Sequence, residues 1–284
     1  MQHNMLGKTG LKVSAVAFAG IVNMDETPQD AARFTAYAVE AGVNYFDVSP
    51  SYGNAEERLA PALKPYRQNI YLACKTQKRD AEAAREELLH SLMRLGSEYF
   101  DVYQLHAMTT PQDVEQVFGP GGAMEAFLWA KREGLIRHIG FSAHNEEVAL
   151  ACLEHYDFDT VMFPMNWALG LNTGWGNRIA AAVKERGIGL LAIKTLIARK
   201  WREGETREYP KSWCRPICGD EELAVAAMKY SLYKGAATLI PPGNITHQRF
   251  MINHIDACLQ NPLSPAELDL LTAEAHKVKD ELIF

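Results

Sequence analysis

Eight short apolar runs, spread along the whole chain and separated by stretches of helical periodicity, limit its possible folds more than any other feature. They occupy 15–18, 45–48, 70–74, 102–105, 136–141, 160–163, 189–193 and 237–240. Each is four to six residues long and mostly apolar. A strand with one wet face alternates apolar with polar residues. A mostly apolar run of this length suits a strand covered on both faces, as in a parallel sheet.

Helix signals lie between the runs. In "TPQDAARFTAYAVEAG", Thr27 stands as N-cap, Pro28 at the first helical position, Asp30 at the third and Gly42 as a stop. "TPQDVEQVF" repeats that opening at Thr110, and "DAEAAREELLHSLMRLG" runs at helical spacing to Gly96. "ACLEHYD" is a shorter piece, while "NRIAAAVKERG" and "DEELAVAAMKYSLYKG" stop at Gly187 and Gly235. About eight helices alternating with eight strands predict right-handed βαβ units. Eight such units in 284 residues predict an α/β chain with one domain, residues 1–284, folded as a closed (β/α)8 TIM barrel. An open doubly wound sheet is the competing arrangement. It usually carries G-x-G-x-x-G after its first strand when it binds a dinucleotide, and that pattern does not occur here.

Two additions to a minimal barrel are expected. "GKTGLKV" reads as the turn of an N-terminal β-hairpin that plugs the barrel base, and "SPAELDLLTAEAHKVKDEL", with Ser264, Pro265 and Glu267 in capping-box order, reads as an extra C-terminal helix. The segment 195–219 is too long for a plain connection and reads as a lid. The tryptophans at 167, 175, 201 and 213 fall in or near it, either lining an apolar pocket or packing the lid down.

Charge excludes one function class. The net charge is −6 with a pI near 5.9, and Lys and Arg form no run, which argues against a nucleic-acid partner. No apolar stretch reaches the length of a membrane span, and the first residues do not read as a signal peptide, so a cytoplasmic, membrane-free protein is expected. The five scattered cysteines suit a reducing compartment, and "CRPIC" spaces Cys214 and Cys218 unlike a redox or zinc pair.

In a barrel of this kind the active site forms where the strands end. The second run ends at Asp47, with Tyr52 in the loop behind it; the third ends at Lys75 and the fourth at His106. The fifth ends at Ser142 and His144, the sixth at Asn166 and the seventh at Lys194. Singly, each has an ordinary reading: a turn aspartate, a packing tyrosine, a solvated lysine, a core histidine. Jointly they bring an acid, a phenol, an ammonium and an imidazole to one place. Tyrosine titrates near 10, a nearby ammonium favours its phenolate, and a carboxylate keeps a buried lysine charged. On this argument Lys75 lowers the pKa of Tyr52, Asp47 holds Lys75 protonated, and His106 orients a carbonyl, which makes a general acid. A metal-dependent hydrolase using Asp47, His106 and His144 is a competing use of the same ends, with Lys75 placing positive charge beside the metal.

Asp47, Tyr52 in "DVSPSYG", Lys75 in "LACKT" and His106 in "VYQLH" together resemble the tetrad of the aldo-keto reductases. The likeness extends through "LGKTGLKVSAVAFAG", "GVNYFDVSPSYGNAEERLAPAL", "LGSEYFDVYQLH", "REGLIRHIGFSAHN" and "LAIKTL". It implies a (β/α)8 barrel that binds NADPH (NADP+) across its mouth and transfers a hydride between that cofactor and an aldehyde or ketone, reversibly an alcohol. Tyr52 is then the proton donor, Lys75 and Asp47 tune it, and His106 orients the substrate. The same resemblance assigns cofactor binding to Ser142, Asn166, Lys194, Gly243, Arg249 and Asn253, with Arg249 at the 2′-phosphate and Asn253 at the adenine. The sequence departs from the family pattern at Gly243, where a lysine is common, at Ile252, at Met162, at Ala143 and at Ile193–Lys194. A small-molecule carbonyl or alcohol is the expected partner, with a monomer or weak homo-oligomer as the expected state. The alternative is a catalytically weak member acting as a nucleotide-sensing or partner-binding subunit.

Overall fold

The computed structural model describes residues 1–284. Its first element is the expected hairpin, β1 (His3–Met5) paired antiparallel with β2 (Lys12–Ser14). The turn between them lies against the start of a barrel strand: Lys8 donates its backbone N–H to the Gly187 carbonyl at 2.7 Å. Gly7 adopts φ +53°, and a Cβ there would sit 2.2 Å from the Gly189 nitrogen, so only glycine fits. Leu6, fully buried, closes the base of the barrel.

Seven parallel strands follow: β3 (Phe18–Ala19), β4 (Tyr45–Asp47), β5 (Tyr71–Thr76), β6 (Phe100–Met108), β7 (Ile136–Ala143), β8 (Thr160–Pro164) and β9 (Gly189–Ile193). The segment 195–219 contributes a small antiparallel pair, β10 (Ile197–Arg199) with β11 (Arg215–Pro216), and is therefore not structureless. The eighth barrel strand, β12 (Thr238–Leu239), pairs parallel with β9. The sheet runs β12-β9-β8-β7-β6-β5-β4-β3 in space, and a parallel bridge from Val16 to Leu239 joins its two edges. Ala17 N–H donates to the Leu239 carbonyl at 3.0 Å and Leu239 N–H to the Ala15 carbonyl at 2.9 Å, which closes the barrel. All eight apolar runs became barrel strands, and a single cluster of 78 buried apolar residues fills the interior and the strand–helix layer.

The helices are α1 (Pro28–Glu40), α2 (Ala55–Leu63), α3 (Ala81–Leu95), α4 (Pro111–Phe118), α5 (Ala123–Arg132), α6 (Glu146–His155), α7 (Trp167–Thr173), α8 (Asn177–Glu185), α9 (Glu221–Tyr233), α10 (Ile245–Gln260) and α11 (Pro265–Lys277). The sequence-level starts hold because their caps form. Thr27 Oγ1 accepts from Asp30 N–H at 3.1 Å, and full capping boxes form at Thr110 with Asp113 and at Ser264 with Glu267. Three helices differ from expectation. The piece read as "ACLEHYD" is the second half of α6, which begins earlier because the Asn145 side chain caps it. Helices α5 and α7 were not expected; α7 is only seven residues long and mostly buried at its start.

Strand register decides what the barrel mouth contains. Side chains two apart on a strand share a face. Asp47 pairs with Ala73, two residues before Lys75; Lys75 pairs with Gln104, two before His106; Gln104 pairs with Gly140, two before Ser142. Ser142 pairs with Met162 and Met162 with Leu191, two before Ile193. One inward face therefore carries Asp47, Lys75, Gln104, His106, Ser142, Met162 and Ile193 in a rising spiral.

Candidate active site

Lys75, with no exposed surface, sits at the centre of this spiral. Its ammonium donates to Asp47 Oδ2 at 2.5 Å, to the Val48 carbonyl at 3.2 Å and to Tyr52 Oη at 3.5 Å, so all three N–H bonds have an acceptor. Gln104 Nε2 donates to Asp47 Oδ1 at 3.1 Å. Burial opposes the Lys75 charge, but Asp47 and then Tyr52 outweigh it and hold the ammonium above its ordinary value. Burial pushes the Asp47 carboxyl up, with Lys75 and Gln104 pulling the other way. The expectation that Asp47 keeps Lys75 charged is thus met by direct geometry.

Lys75 pulls the Tyr52 phenol down, as expected, but the net shift is upward. Burial raises the Tyr52 phenol above its ordinary value, and the opposing pull of Lys75 does not cancel it. Burial is the largest cause, and the nearby Asp47 carboxylate itself pushes the phenol up and offsets part of the Lys75 pull. The resting phenol is therefore fully protonated at neutral pH, which is the state a proton donor needs.

His106 meets Tyr52 edge-on, with ring centroids 5.9 Å apart at 89°. Its Nδ1 lies 3.1 Å from Ser49 Oγ. Burial first, then the charges of Lys75, His144 and Arg79, lower its pKa to about 2, and His144 is lowered to about 4 by burial and Lys194. Both rings are neutral in the folded protein. In the unfolded chain they take up protons below about pH 6.5, so their contribution to stability is complete above that pH and is lost as pH falls toward about 4 and below. We expect the unfolding free energy from chemical denaturation to fall between pH 7 and pH 5, by on the order of 1–2 kcal/mol per ring, and His144→Gln to flatten that slope. Identical slopes for the variant and wild type would overturn this account.

The turn after His106 is held from two sides. Ala107 adopts φ +53°, uncommon for a residue with a Cβ. Arg79 Nη2 donates to the His106 and Ala107 carbonyls at 2.9 and 3.1 Å, and Ala107 N–H donates to Ser142 Oγ at 2.8 Å. Sequence reasoning missed Gln104, Ser49 and Arg79. Gln104 was the accessible one, since it lies two residues before His106 on the same strand face.

A cavity of about 90 Å³ opens above these groups, walled by Tyr52, His106, Ser142, His144, Lys194 and Trp213 among others. Its roof comes from the segment 195–219. Trp213 stands 6.2 Å from the Tyr52 ring, and Lys211 reaches the opposite rim, where its ammonium meets Glu26 at 2.5 Å and the Val22 carbonyl at 3.0 Å. Arg199, Arg215 and Glu205, with Arg199 and Arg202 also on Glu281, tie the same segment into a charge network. The four tryptophans divide between the two expected roles: Trp213 lines the cavity, Trp201 donates to the Ser212 carbonyl at 2.9 Å within the lid, Trp175 stacks on Phe163, and Trp167 is buried.

The expected cofactor residues fall in three places. Ser142, Lys194 and Gly243 are on the cavity wall. Gly243 has no room for a lysine, because a Cβ there would sit 2.7 Å from the Lys211 carbonyl oxygen. Asn166 has a different placement: its amide donates to the Lys194 and Ile197 carbonyls at 3.0 and 2.6 Å, and its carbonyl oxygen caps α7 at Leu169. It braces a turn and does not wall the cavity. Arg249 and Asn253 are exposed on α10, flanking Tyr37, with the Arg249 guanidinium 5.1 Å from that ring and Asn253 Oδ1 accepting from Tyr37 Oη at 3.0 Å. An exposed guanidinium with no carboxylate on it, an aromatic ring and the unengaged Asn253 NH2 fit a phosphate-bearing nucleotide end. The metal-hydrolase set does not assemble: Asp47 is committed to Lys75, and no group of acids, histidines and cysteines forms a ligand cluster.

The sequence profile described as the Aldo/keto reductase family matches residues 20–234. An uncharacterised oxidoreductase, YqkF, of Bacillus subtilis is 31% identical over 157 residues, covering 50% of this chain and 49% of that protein. L-galactose dehydrogenase of Arabidopsis thaliana is 28% identical over 207 residues, covering 67% of this chain and 64% of that protein. The chain thus spans between about half and two thirds of the length of these relatives. The holo form of an aldo-keto reductase from Bacillus halodurans superposes with a TM-score of 0.72 over 98% of this chain and 96% of that one, at 24% identity, and so attests the fold. An aldo/keto reductase from Brucella melitensis does the same at a TM-score of 0.70 and 17% identity, over 96% of this chain and 100% of that one. With the profile spanning most of the barrel and the fold shared end to end, the chain belongs to the aldo/keto reductase family.

Proposed function

We propose that this protein is an NADPH-dependent carbonyl reductase, in which Tyr52 protonates the oxygen of an aldehyde or ketone. The observation that carries this reading is the fully satisfied Lys75 ammonium between Asp47 and Tyr52, beside a neutral imidazole. Bound NADPH supplies the hydride. The chain supplies position and charge. His106 Nε2 donates to the substrate oxygen in the tautomer whose Nδ1 accepts from the Ser49 hydroxyl, an arrangement the 3.1 Å contact allows. Tyr52 Oη gives its proton to the same oxygen, and the Lys75 ammonium stabilises the phenolate left behind. Asp47 keeps Lys75 charged throughout.

Arg249 is assigned to the 2′-phosphate, Asn253 and Tyr37 to the adenine, and Ser142 to the nicotinamide end. The cavity of about 90 Å³ is small beside ligand pockets of roughly 300–1,000 Å³, so the lid that roofs it moves when cofactor enters. Trp213 then reports binding. We expect NADPH to change tryptophan fluorescence and to be consumed with small aldehydes; no spectral response to any nicotinamide cofactor would sink the reading. Arg249→Ala should weaken NADPH about 10–100-fold, the worth of a charge-assisted contact, and leave NADH nearly unchanged. Equal weakening of both would remove Arg249 from the 2′-phosphate.

A second reading has its own observation. Met162 and the committed Asn166 leave the nicotinamide end without a free side-chain amide. A nucleotide-sensing or partner-binding subunit would bind NADPH yet turn over no carbonyl on a broad panel.

A further inference from the structure

We propose that Lys194 and His144 form a subsite for an anionic group on the substrate, so that this protein prefers aldehydes or ketones that carry a carboxylate. The inference rests on the carbonyl-reductase reading and specifies its substrate class.

Lys194 is held where it is at some cost. Its backbone has φ +65°, in the left-handed region that side-chain-bearing residues rarely adopt. The conformation persists because its carbonyl is clamped, accepting from Asn166 Nδ2 at 3.0 Å and from Ile197 N–H at 3.1 Å. This turn ends β9 and sets the lysine on the cavity wall with Tyr52, His106 and His144.

The lysine then lacks a partner. Lys75 has Asp47 at 2.5 Å and Lys211 has Glu26 at 2.5 Å. Lys194 has the Trp213 ring, 5.2 Å from its ammonium, and the Cys214 thiol nearby, and no carboxylate. Burial lowers its pKa, and the opposing pull of Cys214 does not cancel it, the mark of a charge without a carboxylate partner. Asp47 is the one carboxylate on the cavity wall, and it is taken by Lys75 and Gln104. His144 lies within the field of Lys194, and neither of its ring nitrogens has a protein partner. An unpaired ammonium beside a free imidazole N–H in a half-enclosed, aromatic cavity suits a carboxylate, which neutralises the first and accepts from the second. A cofactor phosphate has the same chemistry, so the test must separate the two sources.

The full chain is assayed with NADPH on matched pairs: 4-carboxybenzaldehyde against its neutral methyl ester, and succinic semialdehyde against butanal. Wild type should favour the acids about 10–100-fold in kcat/KM, the range of one charge-assisted contact. Lys194→Met should collapse that ratio, mainly through KM, and Lys194→Arg should restore part of it. The family resemblance assigns Lys194 to the cofactor; on the present proposal it faces the substrate instead, so the dissociation constant for NADPH, read by tryptophan fluorescence, should be the same in all three proteins. Equal preference for acid and ester in wild type overturns the proposal. So does a Lys194→Met protein that binds NADPH more weakly and loses acid and ester turnover alike, since Lys194 then serves the cofactor. Should no carbonyl be turned over, the reductase reading fails by itself. Equilibrium binding of 4-carboxybenzaldehyde and its ester to wild type and Lys194→Met then still decides the anion site.

Discussion

Tyr52→Phe is expected to lower kcat by about 10²–10⁴-fold, the usual contribution of a positioned general acid, while cofactor binding and fold survive. The substitution removes one oxygen whose single side-chain contact is Lys75 at 3.5 Å. The ring stays, and with it the edge contact to His106 at 5.9 Å and the packing against Trp213 at 6.2 Å. Lys75 keeps Asp47 and the Val48 carbonyl. Thermal midpoints should therefore agree closely, and the loss should fall on kcat more than on KM, because the proton is needed only as the carbonyl oxygen gains charge. The pH profile follows from the same geometry. Burial holds the phenol above its ordinary value of about 10, so reduction should run at a constant rate through neutral pH and decline only in strong alkali. A Tyr52→Phe protein with wild-type kcat/KM would show that the proton comes from elsewhere.

Lys75→Met should produce the largest loss of stability of any single substitution at the site, about 3–5 kcal/mol, the cost of leaving one member of a buried ion pair alone. Lys75 and Asp47 are both almost fully buried, so a carboxylate left alone there stays poorly solvated. Without the ammonium, Asp47 keeps only Gln104 at 3.1 Å. Its carboxyl, already raised by burial with Lys75 present, is raised further. A folded pKa above the unfolded one favours the fold at low pH, and that advantage disappears as pH rises through the folded value. The gap between wild type and Lys75→Met should thus narrow on acidification. Adding Asp47→Leu to Lys75→Met should recover part of the stability without recovering activity, since the stranded charge is gone. Urea unfolding of wild type, the two single variants and the double variant measures this; purely additive losses would mean the pair is not coupled.

Much of the fold could be read in advance because its signals are local. A strand covered on both faces betrays itself in four to six consecutive residues, and the Thr110 and Ser264 caps each lie within four positions of the acid that completes their box. The two unexpected helices, α5 and α7, carry no side-chain cap at Gly122 in the first case and only seven residues in the second. At the site, Asp47, Lys75 and His106 were legible for the same local reason: each ends or nearly ends an apolar run. Asn166 ends one too, yet its amide is spent on two carbonyls from beyond β9, a partnership 28 and 31 residues away in the chain.

The amino-acid sequence by itself determined the barrel, its closing plug and the residue types at the mouth, because strand period and helix caps act over a few residues. Tertiary structure alone decided which charges are neutralised. Lys75 and Lys194 both end strands and look equivalent in sequence. One is matched by Asp47 through strand register, and the other is left facing Trp213 with no acid in reach. Burial likewise decided that the Tyr52 phenol rises while the Lys75 charge pulls it down. Electrostatic outcomes of this kind depend on distances and on exclusion of water, and neither exists until the chain has closed into a barrel.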